Sequence, residues 1–253
     1  MAQHANIPAD RVLKKLDELL GKNDYTAAKN HLLYWLDEAK AAFDDNAILL
    51  LYNELMGLCR KLSQEQQALF FAESALEQIE NMNIKANVGA ATTYLNCATV
   101  YKAFSKSADA ILLFQKAKSI YEENLSPDDD RLGGLYNNMG LALVDLRRFD
   151  EAMNLYRQAL SVMSRVEGRE PEAAITYLNM ASAAEAQFGI EGAEASISEY
   201  IEKAINLLDK GKDRLDGNYA FVCEKCATVF GYYGYFEYEN QLKERYGRIY
   251  EGA

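Results

Sequence analysis

A small or compact apolar residue recurs down the chain at a nearly constant interval, and this constrains the fold more than any other feature. Leu16, Met56, Ala98, Gly140, Ala181 and Ala227 are separated by 40, 42, 42, 41 and 46 residues. An interval sustained from end to end belongs to a solenoid, in which each unit packs chiefly on its neighbours. About 42 residues leave room for two helices of roughly 17 residues and two short connections. The three prolines, Pro8, Pro127 and Pro171, fall outside the periodic apolar segments. Uninterrupted helices require this, because an internal proline removes a hydrogen bond and clashes with the preceding turn. The expected fold class is all-α: a right-handed superhelical solenoid of about six antiparallel helix pairs. It is expected to form one domain over 1–253, with repeats at 9–43, 47–82, 88–125, 129–166, 170–210 and 215–250.

The stretch from Leu135 to Leu160 shows the unit most clearly. Gly140 and Ala142 on its first helix and Ala152 and Ala159 on its second mark where two helices must touch. Tyr136, Leu143, Phe149 and Tyr156 supply the bulk around them, and the chain turns at Leu146-Arg147-Arg148. Other turns are expected at Gly21 to Asp24, at Ser63 and at Gly234. Asp10 is placed to cap the first helix, and the run Asp128 to Asp130 to start the fourth unit's first helix. The 46-residue interval is attributed to a longer inner turn in the fifth unit, Phe188 to Glu194.

Charge and chemistry narrow the function. The formal net charge is −11, and no cluster of Lys and Arg offers phosphates a surface, so neither nucleic acid nor an anionic membrane is an expected partner. A basic or neutral peptide is compatible with that charge. The N-terminal MAQHANIPADRVLKK lacks a basic segment followed by an apolar run and is not expected to be a leader peptide. The longest apolar stretch, Ala47 to Tyr52, is far short of the roughly 18 residues a bilayer requires. The four cysteines, Cys59, Cys97, Cys223 and Cys226, fall inside helical patterns, which suits a reducing cytoplasm. Cys223-Glu-Lys-Cys226 has no second CxxC, and the only histidines are His4 and His31, so the two thiols are expected to be core residues and no metal is expected. Tyr232-Tyr233-Gly-Tyr235-Phe236 suits a packed helix turn better than a ligand site. Phosphate-binding glycine loops and a nucleophile elbow are absent, so neither enzymatic activity nor a cofactor is expected.

Tyr136, Met139, Gly140, Leu143, Phe149, Ala152, Tyr156 and Ala159 resemble the tetratricopeptide repeat, as do Tyr94, Cys97, Ala98, Tyr101, Ala110, Phe114 and Ala117. The usual repeat is 34 residues; the longer interval here resembles kinesin light chains and related bacterial proteins, including peptide-sensing regulators. The resemblance implies that an extended peptide binds along a concave face lined by the first helix of each pair.

On that face the offsets i, i+4, i+7 and i+11 place Thr92, Asn96, Thr99 and Ala103 in the third unit. They place Gly134, Asn138, Leu141 and Asp145 in the fourth unit and Ile175, Asn179, Ser182 and Ala186 in the fifth. Asn96, Asn138 and Asn179 thus share one column, and Asn53 and Asn137 lie one position earlier. Asparagine is a mediocre helix former, so its recurrence in mid-helix asks for a reason. Either these amides, which both donate and accept, meet a peptide backbone, or they tie adjacent helices together. Leu50, Glu54, Gly57 and Lys61 flank the column from the second unit, and Phe221, Lys225, Thr228 and Tyr232 from the sixth. The expected function is non-enzymatic capture of an extended segment of a protein or peptide partner. The alternatives are a structural or homo-oligomerising scaffold, and a peptide-sensing regulator acting through a separate effector.

Overall fold

The structure, a computed structural model, describes residues 6–252. Residues 1–5 and 253, which include His4 and the start of the segment expected not to be a leader peptide, lie outside the described residues.

The chain reverses at one equivalent point in each helix pair. Asn23, Ser63, Ser105, Arg147, Gly189 and Gly234 all have positive φ, at separations of 40, 42, 42, 42 and 45 residues. At five of these turns the next residue donates its N–H to a carbonyl five positions back, as in Gln64 to Cys59 (2.9 Å), Lys106 to Tyr101 (2.9 Å) and Arg148 to Leu143 (2.9 Å). This bond satisfies a carbonyl that the helix end would leave unpaired. Four of the six turn residues are not glycine, although the left-handed conformation costs an L-residue about 1–2 kcal/mol. The turn is therefore imposed by packing on either side of it.

Eleven helices result among the described residues, with no strand. They divide into two compact units, Met1–Asn124 and Leu125–Ala253. The first holds α1 (Ala9–Gly21), α2 (Tyr25–Ala41), α3 (Asp45–Lys61), α4 (Glu65–Met82), α5 (Val88–Ala103) and α6 (Ser107–Asn124). The second holds α7 (Asp130–Asp145), α8 (Phe149–Met163), α9 (Glu170–Lys210), α10 (Gly217–Tyr232) and α11 (Phe236–Glu251).

Two local expectations are corrected. No loop spans Phe188 to Glu194; α9 is helical throughout, broken only at Gly189 (φ 75°, ψ 167°). With no Cβ, glycine adopts that conformation freely, so a single residue suffices. The two arms fold back on each other, with the Tyr177 and Tyr200 rings stacked 6.3 Å apart. The extra residues lengthen the second arm, 190–210, instead of the turn. Asp10 is not a cap either: it sits inside the first turn of α1, which follows Pro8 and has no side-chain cap. Its negative charge still favours the helix N-terminus there. Asp24, Asp44, Asn87, Asp129 and Asp216 do cap their helices, each accepting a backbone N–H at 2.7–3.1 Å. In the aspartate run, Asp129 is the cap and Asp130 opens α7.

Small residues make the close contacts. Ala68, Ala72 and Ala75 of α4 and Ala110 and Ala117 of α6 are fully buried. The Cys97 thiol lies 3.5 Å from the carbonyl of Ala72, and burial pushes it up to about 12. In unit 2 a Cβ on Gly140 would stand 2.5 Å from the buried ring of Tyr156, so only glycine lets α7 approach α8 this closely. Cys223 and Cys226 are free thiols buried in the second unit's core, and burial pushes both up. None of the described helices is long and apolar enough to cross a membrane.

Candidate functional site: the first-helix faces

In each unit two first helices lie side by side, α3 with α5 and α7 with the first arm of α9, and asparagine amides join them. In unit 1, Asn96 Nδ2 on α5 donates to Asn53 Oδ1 on α3 at 2.8 Å. Asn53 Nδ2 donates in turn to the Leu49 carbonyl (2.8 Å) and to Thr93 Oγ1 (3.0 Å). Both N–H groups of Asn53 are therefore spent, whereas Asn96 keeps its carbonyl oxygen and one N–H. Unit 2 repeats the arrangement, with Asn179 Nδ2 on α9 donating to Asn137 Oδ1 on α7 at 3.0 Å. Asn138 is half-buried and its side chain makes no hydrogen bond among the described residues.

The other expected contact residues are less uniform. Thr92 turns toward α6, where its hydroxyl meets that of buried Tyr121 at 2.7 Å, and it also bonds the Val88 carbonyl. Thr99 returns its hydroxyl to the Leu95 carbonyl (2.9 Å), as threonines within helices often do. Ser182 is exposed beside Tyr233. Lys225 is exposed, with its ammonium 4.9 Å from the Phe221 ring.

Two acidic residues on these helices have properties that helical periodicity does not reveal. Glu54, on α3, is half-buried, and burial followed by the charge of Asp17 raises its carboxyl above the ordinary carboxylate value. Glu185, on the first arm of α9, accepts from the hydroxyls of both Tyr232 (2.5 Å), the last residue of α10, and Tyr233 (2.7 Å), which follows it. The offsets that generate the asparagine column land on Glu54 without indicating its burial, and they bypass Glu185 by one residue. The described residues hold no group of three His, Cys, Asp or Glu side chains suited to a metal ion.

These features define an all-α scaffold of stacked helix pairs whose first helices present amides, hydroxyls and small side chains. Residues 133–172 match the tetratricopeptide repeat family. Among solved structures the chain is similar to BtubC (BKLC) from P. vanneervenii, with 20% identity, 78% of this chain and 81% of that one covered, and a TM-score of 0.67. It is similar also to a putative kinesin light chain of nearly identical TPR-like repeats from Podosopora anserina (15% identity, 79% and 94% covered, TM-score 0.56). A third similar structure is a Rap protein complexed with Competence and Sporulation Factor (12% identity, 94% and 73% covered, TM-score 0.55). No curated protein matches by sequence. Residues 133–172 thus carry a tetratricopeptide repeat, and the chain shares the all-α helix-pair fold of these similar structures.

Proposed function

We propose that this protein is a non-enzymatic scaffold that holds an extended segment of a protein or peptide partner against the concave first-helix faces of its repeats. The observation that carries the reading is the unspent hydrogen-bonding capacity of Asn138, half-buried on α7 and without a hydrogen bond among the described residues. The backbone of an extended peptide offers that amide both a donor and an acceptor. Asn96 and Asn179 each keep a carbonyl oxygen and one N–H for the same use, having given the other N–H to a neighbouring helix. Contacts to main chain alone would tolerate many peptide sequences, leaving flanking side chains to choose among them. The Rap structure supports the reading, because a similar fold is there complexed with Competence and Sporulation Factor.

The test uses peptides selected from a random library on the immobilised full chain. Asn138→Ala is expected to weaken the selected peptides about tenfold, the equivalent of about 1.4 kcal/mol, with circular dichroism and thermal stability unchanged. Equal binding by the variant and the parent chain would remove the amide from the proposal.

A further inference from the structure

We propose that the first-helix face of unit 1 selects a segment carrying arginine or lysine, and that Glu54 is the residue that selects it. The proposal rests on the groove reading above. Glu54 lies on α3 three residues before Gly57, on the same flank of the asparagine column. Its half-buried carboxylate has neither a hydrogen bond nor an ion pair among the described residues. The charge nearest in effect is another carboxylate, that of Asp17 on α1. Lys61, two turns along α3, sits 4.8 Å over the Tyr25 ring.

A partly desolvated charge without a counter-ion is unfavourable, and an incoming cation relieves the penalty. The local geometry admits one. Nothing lies within 4 Å of where a Gly57 Cβ would stand, so a peptide backbone can approach α3 closely beside the carboxylate. The neighbouring polar groups cannot substitute as counter-ions, because Asn53 has already spent both N–H groups within the protein. A guanidinium fits better than an ammonium, since its planar fork engages both carboxylate oxygens. The chain's net charge of −11 also favours encounter with a basic partner over an acidic one.

The experiment titrates the full chain against three fluorescein-labelled octapeptide pools, degenerate except for a fixed central Arg, Gln or Glu, and reads anisotropy. The parent chain is expected to bind the Arg pool about tenfold more tightly than the Gln pool, and the Glu pool most weakly. Glu54→Gln, which preserves shape, removes the Arg advantage; Glu54→Lys transfers it to the Glu pool; both keep the parent's circular dichroism. If the parent binds all three pools equally, or if the Arg advantage survives Glu54→Gln, Glu54 does not select, and the groove reading stands. If the folded chain binds no pool, the groove reading falls and this inference falls with it.

Discussion

At the scale of single residues, the protein uses glycine and tyrosine as a matched pair. Gly140 lies against the ring of Tyr156, whose hydroxyl is buried without a hydrogen-bond partner among the described residues. Gly140→Ala forces that ring to move inside a packed core and is expected to cost about 1–3 kcal/mol in urea unfolding. Tyr156→Phe removes only the orphaned hydroxyl, whose burial costs about 1–3 kcal/mol when unsatisfied. It is therefore expected to leave stability unchanged or raise it by about 1 kcal/mol, a result that separates ring packing from hydrogen bonding. The asparagines divide in the same way. Asn96→Ala strips Asn53 Oδ1 of its donor and is expected to lower stability by about 1 kcal/mol, whereas Asn138→Ala is not. Small residues at the helix contacts were legible from the sequence because each contact recurs at the repeat interval. Which polar group an asparagine meets was not legible: Asn53 and Asn96 lie 43 residues apart, and only the packing of α3 beside α5 brings them to 2.8 Å. Thr92 shows the same limit, since its offset suggested the groove and its hydroxyl meets Tyr121 on α6.

At the scale of elements, turns and caps decide where each helix begins and ends. Ser63, Ser105 and Arg147 hold left-handed conformations that glycine adopts at no steric cost. Ser105→Gly should therefore raise the melting temperature, with a gain of about 1 kcal/mol; a loss would mean that the serine side chain contributes more than its backbone strain costs. Asp216 caps α10 through the Tyr219 N–H, and its hydrogen bond to Arg214 holds its carboxyl below the usual aspartate value. A lowered folded-state value stabilises above the unfolded one and is lost as pH falls through it. The capped chain should thus lose stability below about pH 4, and Asp216→Asn should reduce that acid dependence while costing roughly 0.5 kcal/mol or less at neutral pH. Helix pairs were readable from the interval and from proline placement. The hairpin in α9 was not, because a lone glycine at 189 and an extra turn of helix produce the same 46-residue interval as a longer loop.

At the scale of the whole molecule, two units each stack their helix pairs so that first helices adjoin first helices. The proposed function uses a surface extended over several helices of a unit, as stacked repeats allow. Within the units, Asn53 with Asn96 and Asn137 with Asn179 are already hydrogen-bonded to each other, whereas the Asn138 side chain has no hydrogen bond among the described residues. The most direct test of the central claim is side-chain amide NMR of the isotope-labelled full chain, titrated with a library-selected peptide. The account predicts large shifts for the Asn138 and Asn179 side-chain amides of unit 2, with little change in the second helix α8. Saturable binding that leaves those two amides unmoved and shifts α8 would contradict it.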